Sequence, residues 1–175
     1  MLKNSYDKSF KIYMGIIVLA ISMLFLYLFL PIEFEGPGFS IKYKRFTNVN
    51  HEQIGDEPLN EAGEVIFERK NYRLQITYIH YVNNADLTDI TKNLISHIET
   101  NGIILNKSET IEEKYNDNIF YTTKLIFSDG LEEANIIFSI HYNSKRESIY
   151  YLICSSKMNS PDKIMNEYIK TFKIK

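Results

Sequence analysis

Glu64-Val65-Ile66-Phe67-Glu68-Arg69-Lys70-Asn71-Tyr72-Arg73-Leu74-Gln75-Ile76-Thr77-Tyr78-Ile79-His80 alternates with a period of two on both sides of a two-residue break. Val65, Phe67 and Arg69 fall on one side of the first half, and Glu64, Ile66 and Glu68 on the other. After Lys70-Asn71 the pattern resumes with Tyr72, Leu74, Ile76, Tyr78 and His80 in one row. Successive side chains of a strand point to opposite faces, so each half reads as a strand and the pair as a hairpin. A lone hairpin is marginal in water and needs further strands or a covering helix.

The flanking sequence supplies both. Upstream, Phe39, Ile41 and Tyr43 alternate with Ser40, Lys42 and Lys44 as a half-buried strand. The polar stretch from Asn48 to Glu64, with Gly55, Pro58 and Gly63, reads as a long loop. Downstream, Asn84 or Asp86 can cap a helix whose Leu87, Ile90, Leu94 and Ile98 recur at helical spacing, and Asn101-Gly102 provides its stop. Four strands are expected next, at Ile103 to Glu112, Ile119 to Phe127, Ala134 to Tyr142 and Ile149 to Ser155. Turn residues part them, at Asn116-Asp117-Asn118, Asp129-Gly130 and Asn143 to Ser148, as in an antiparallel meander. Ser160-Pro161-Asp162 opens a last helix with Ile164, Met165, Tyr168, Ile169 and Phe172 on its inner face. Strands segregated from helices in this way make an α+β domain, an antiparallel sheet of order β-β-β-α-β-β-β-β-α with the helices packed on it. No repeat of 20–50 residues is evident.

The N-terminus follows different rules. The 21 residues between Lys11 and Glu33 carry no charge, and Ile16, Val18, Leu19, Ile21, Leu24 and Phe29 leave no polar stripe. At about 1.5 Å per residue this run spans roughly 30 Å, a bilayer's hydrocarbon core. It ends in Phe29-Leu30-Pro31-Ile32 rather than in small residues, so a retained signal-anchor is expected over a cleaved signal peptide. Lys3, Lys8 and Lys11 precede it against Asp7, while Glu33 and Glu35 follow, which orients the N-terminus inward. The expected layout is a cytoplasmic tail at 1–11, a transmembrane helix at 12–32, a linker at 33–38 around Gly36-Pro37-Gly38, and an extracytoplasmic domain at 39–175. The anchor is a single pass through the cytoplasmic membrane.

The 145 residues from Pro31 to Lys175 suit one domain with a real core. They carry 17 basic and 21 acidic residues, net −4, which offers no electrostatic footprint for nucleic acid. The one cysteine, Cys154, excludes an intrachain disulfide; alternating with Leu152 and Tyr150, it reads as an inert buried thiol. Abundant Asn, Ile, Lys and Tyr mark an AT-rich genome and point to a bacterium.

The element order, with a closing helix that runs into Tyr168-Ile169-Lys170-Thr171-Phe172-Lys173-Ile174, resembles the PsbP-like family, which includes the DcrB-type bacterial envelope proteins. The resemblance covers Phe39 to Lys175 and implies a non-catalytic accessory or adaptor role. The chain departs from the envelope members in its anchor, because those are commonly lipoproteins.

Motifs for chemistry are sparse. There is no G-x-G-x-x-G, Walker, G-x-S-x-G or H-E-x-x-H spacing, so no cofactor is expected. Of the histidines, His51, His80, His97 and His141, the pair His80 and His141 sits in similar contexts near two strand ends. Alternation assigns His80 to the core and His141 to the exterior, which argues against a shared metal site. The segment His51-Glu52-Gln53-Ile54-Gly55-Asp56-Glu57, continuing to Glu61 and Glu64, gathers carboxylates without EF-hand spacing. Glu112-Glu113 and Glu132-Glu133 are strand neighbours facing opposite ways, not a catalytic pair. Tyr81, Tyr150 and His141 fall opposite the residues assigned to the main core, so they are the candidates for contacting a partner.

The sequence therefore leads to a membrane-anchored, non-enzymatic protein-binding or adaptor domain with a protein partner in the cell envelope. Two alternatives remain: an immunity protein neutralising a toxin outside the cytoplasm, which an acidic domain would suit if the toxin is basic, and a metal-dependent enzyme using His51, His80, His141 and the acidic loop.

Overall fold

A computed structural model describes residues 3–54, 62–80, 87–100, 103–115, 118–128, 133–143, 145, 147–156 and 161–175. Helix α1 (Lys3–Phe29) carries the apolar run. Every residue from Phe10 to Leu30 is exposed, so this helix is no part of a core. Among the described residues it is the one helix long and apolar enough to cross a membrane, over Phe10–Phe29.

An α+β domain follows after only Leu30 and Pro31. Its elements are β1 (Ile32–Gly36), β2 (Phe39–Tyr43), β3 (Asn48–Ile54), β4 (Ala62–Arg69), β5 (Tyr72–Ile79), α2 (Leu87–Thr100), β6 (Ile103–Lys107), β7 (Ile111–Tyr115), β8 (Asn118–Ser128), β9 (Glu133–Asn143), β10 (Ser148–Ser156), α3 (Pro161–Ile169) and β11 (Lys173–Ile174). The β4–β5 hairpin turns at Lys70-Asn71 as the sequence predicts, with Arg69 opposite Tyr72 and Val65 opposite Ile76. The large antiparallel sheet runs β3-β4-β5-β10-β9-β8-β6, and β7 also pairs with β8. A small antiparallel sheet, β1-β2-β11, is separate from it.

Four expectations are corrected. Residues 33–38 are not a linker, because Ile32 to Gly36 pair in register with Tyr43 to Phe39 across the Pro37-Gly38 turn. The predicted loop begins with a strand, β3, whose residues Asn48 to Ile54 pair with Glu68 to Ala62. The strand expected from Ile103 to Glu112 is two strands, β6 and β7, paired with opposite halves of β8. Helix α3 ends at Ile169, and the chain doubles back through Thr171 and Phe172 N–H bonds to the Tyr168 carbonyl, both 3.0 Å. Phe172 thus reaches the core from beyond the helix.

The large sheet is covered on both faces. On one face Val65, Phe67, Leu74, Ile76, Tyr78, Phe120, Ile137, Tyr150, Leu152 and Cys154 form the main core. Phe39 and Ile41 of the small sheet close over it together with Met165, Tyr168, Ile169 and Phe172. On the other face Leu125, Phe138, Ile140 and Ile149 form a smaller cluster with Ile95 of α2. Burying a large apolar side chain contributes about 1.5–3 kcal/mol, so these two clusters hold the domain together.

Candidate functional site

Strand register places Tyr78, Tyr150, His80 and His141 side by side on the main-core face. Tyr150 lies opposite Tyr78 on one side and His141 on the other. The rings form a belt: His51 to Tyr78 at 6.1 Å between centroids, Tyr78 to His80 at 5.5 Å, His80 to Tyr150 at 6.1 Å, and Tyr150 to His141 at 6.2 Å. Phe120 backs His141 at 5.1 Å, and Phe172 packs on Tyr150 at 5.4 Å.

Hydrogen bonds fix the belt. His51 Nε2 and the Tyr78 hydroxyl are 3.0 Å apart, and His80 Nδ1 and Ser148 Oγ 2.7 Å apart. His141 Nδ1–H donates to the Ile119 carbonyl at 2.6 Å, which sets the neutral tautomer with its proton on Nδ1. Burial holds the His141 imidazole below the ordinary histidine range, partly offset by that carbonyl. The Tyr150 hydroxyl donates to the Gly38 carbonyl at 3.3 Å. Gly38 itself has φ +72°, and a Cβ there would stand 2.8 Å from the Tyr150 hydroxyl and 2.9 Å from His80 Cε1. The Pro37-Gly38 turn can therefore lie on the belt only as glycine.

The belt runs from the exposed His51 through the half-buried His80 to the buried His141. Aromatic rings stand between successive imidazoles. Among the described residues no three His, Cys, Asp or Glu side chains are placed to hold a metal ion. Elsewhere on this face burial pushes the Cys154 thiol up to about 12, with Asp162 adding to it, as an inert thiol requires. Burial and the 2.8 Å hydrogen bond to Tyr72 raise the Tyr168 hydroxyl.

The expected positions of two candidates are overturned. Tyr150 is fully buried and His141 is 5 % exposed, so neither offers a surface to a partner. Strands β9 and β10 are buried on both faces, so a residue opposite one core belongs to another. Tyr81 lies outside the described residues, as do Asp56, Glu57, Glu61, Glu132 and the His97 side chain. His80 does share the face of Leu74, Ile76 and Tyr78. Glu112 and Glu113 oppose Tyr121 and Phe120, neighbours that point to opposite faces.

The surface that sequence reasoning missed is one sheet edge. Strands β6 and β7 lie along the same side of β8, and Leu105, Ile111 and Ile119 on these three strands are 51 %, 46 % and 39 % exposed. A shift of register between Ile104 and Asn106 throws Leu105 out of the ladder. The signal was present in sequence, since Leu105 and Ile111 flank the polar Asn106 to Thr110 within what reads as one strand.

No family model matches the chain. A stretch of 74 residues is 32 % identical to Protein TIC 214 of Lepidium virginicum, covering 42 % of this chain and 4 % of that protein. The chain thus spans a small fraction of that relative's length. In three dimensions it is similar to the solution structure of the cyanobacterial PsbP, CyanoP, from Synechocystis sp. PCC 6803, with a TM-score of 0.58 and 11 % identity over 83 % of this chain and 92 % of that one. With the N-terminal apolar helix set before it, the sheet and helices described above constitute a PsbP-like fold.

Proposed function

We propose that this chain is a single-pass protein of a bacterial cytoplasmic membrane, N-terminus inside, whose PsbP-like domain binds a protein partner outside the cytoplasm without catalysing a reaction. The observation that supports it is the joining of a fully exposed apolar helix to a folded domain through two residues. So short a connection confines the domain to the membrane surface, where envelope partners are concentrated. Leu105 and Ile111 mark the edge on which a partner strand could add, with backbone groups giving affinity and apolar side chains giving selectivity. Nucleic acid is no part of this reading, given the net −4 charge of the domain.

A photocrosslinker at Leu105 or Ile111 of the full chain in membranes should capture one envelope protein, and Ile111→Glu should abolish the capture. Crosslinks scattered over abundant proteins, unaffected by Ile111→Glu, would refute a specific edge. A periplasmic-type reporter fused after Lys175 should be active and one fused after Lys11 silent, because the basic residues lie on the inner side. The reverse pattern would remove the compartment on which the proposal depends.

A further inference from the structure

The loop that joins the small sheet to the large one touches the anchor. The Arg45 guanidinium carbon lies 3.7 Å from the centre of the Tyr27 ring, near the C-terminal end of α1. Arg45 has no carboxylate partner among the described residues, and its Nε is buried without a hydrogen bond. The next residue, Phe46, is 77 % exposed and has φ +61°, a left-handed conformation that costs a phenylalanine energy. The turn is closed by Thr47 Oγ1, which donates to the Lys44 carbonyl at 2.6 Å, so its shape is set locally. Lys44 is tied to Glu167 at 2.5 Å, and Glu33, just after α1, is the register partner of Lys42 in the β1–β2 ladder.

We propose that the Lys44–Thr47 turn is a second membrane contact: Phe46 enters the interfacial layer and Arg45, stacked on Tyr27, takes a lipid phosphate. This rests on the reading of α1 as a retained transmembrane anchor. Tyr27 belongs to the last turns of the span, the depth at which aromatic side chains sit among headgroups. A guanidinium held over that ring is at the same depth. Its planar fork suits phosphate oxygens, while the ring accepts its cationic face. Phe46 is the one large apolar side chain that the domain exposes outside the β6–β7–β8 edge among the described residues. A strained backbone that pushes a ring outward beside the membrane-level arginine has a use if that ring is buried in lipid. The contact would fix the tilt of the domain, presenting the β6–β7 edge in one orientation.

The chain has no tryptophan, so one can be introduced as the only such fluorophore. Full-length chains carrying Phe46→Trp, Leu105→Trp or Leu19→Trp are placed in nanodiscs containing phosphatidylglycerol, with bromine near the headgroup end of the acyl chains or at their tips. The tryptophan of Phe46→Trp should emit at shorter wavelength than that of Leu105→Trp and be quenched by the shallow bromines. Adding Arg45→Gln should remove most of that quenching. The Leu19→Trp chain should be quenched by the deep bromines. Quenching of Leu19→Trp without quenching of Phe46→Trp would overturn the second contact and leave the anchor standing. Absence of quenching in Leu19→Trp would overturn the anchor and, with it, this inference. Quenching of Phe46→Trp that Arg45→Gln leaves unchanged would overturn the role given to Arg45.

Discussion

Replacing Gly38 by alanine tests whether the Pro37-Gly38 turn is seated on the histidine–tyrosine belt. Two costs can be separated. A left-handed φ costs an L-residue about 1–2 kcal/mol, and Gly38 has φ +72°. The added Cβ would stand 2.8 Å from the Tyr150 hydroxyl, which must withdraw and stretch its 3.3 Å bond to the Gly38 carbonyl. Losing such a bond costs about 1 kcal/mol. Together Gly38→Ala should destabilise the domain by about 2–3 kcal/mol, lowering a urea midpoint by about 1–2 M. Unfolding of the full chain in detergent, followed by the near-ultraviolet circular dichroism of its tyrosines, reads this directly. In a Tyr150→Phe background the hydroxyl is gone, and the further cost of Gly38→Ala should shrink toward the backbone part plus the remaining contact with His80, whose Cε1 would still stand 2.9 Å from the added Cβ. Gly38→Asn should cost less than Gly38→Ala if backbone strain dominates, since asparagine tolerates left-handed φ. A cost for Gly38→Ala below about 0.5 kcal/mol, the range of an ordinary surface substitution, would refute the packing of this turn on the belt.

Phe172→Ala removes the ring that stacks on Phe39 at 5.4 Å and meets Tyr150 and Phe120; it should cost about 3–5 kcal/mol by urea unfolding, while Phe172→Leu should cost much less. Burial lowers the His141 pKa from an ordinary value of 6.5, so the unfolded chain takes up the proton first as pH falls. Stability from this group is therefore full above pH 6.5 and declines below it until the folded imidazole also protonates. The slope of unfolding free energy between neutral and mildly acid pH should flatten in His141→Gln, and an unchanged slope would contradict the burial argument. Cys154, with its thiol pushed up to about 12, should resist alkylation in the folded protein at mildly alkaline pH and react fully in denaturant.

What was legible in the sequence was the part with one dry face. The β4–β5 hairpin is polar on the side of Glu64, Gln75 and Arg73, so its period-two pattern is plain and even its turn is placed correctly. Strand β3 escapes notice because Asn48-Val49-Asn50-His51-Glu52-Gln53 is an edge, with only Val49 and His51 turned toward the main core among polar neighbours. In β1, Ile32 and Phe34 do alternate with Glu33 and Glu35, but the adjoining Gly36-Pro37-Gly38 reads more strongly as a break. The belt was hidden for a different reason. In Ile136 to His141 and Ile149 to Leu152 both faces are apolar, so alternation separates the two faces without saying which is wet. That ambiguity placed His141 and Tyr150 outside when a second core, under α2, makes both faces interior.

The small sheet imposes an order on how the domain comes into being. Strand β2 pairs with β1, which follows α1 after two residues, and with β11; Thr171 Oγ1 accepts a hydrogen bond from the Lys42 amide 129 residues away. A ribosome emits these partners far apart in time, and Phe172, which closes over Phe39 and Tyr150, comes late with β11. Closing so long a loop also carries an entropic cost that only completed packing offsets. When β1 and β2 leave the ribosome, β11 and Phe172 do not yet exist. Strand β2 therefore stays open on its β11 side until residues 173–174 have been made, and the lid over the belt is fastened last.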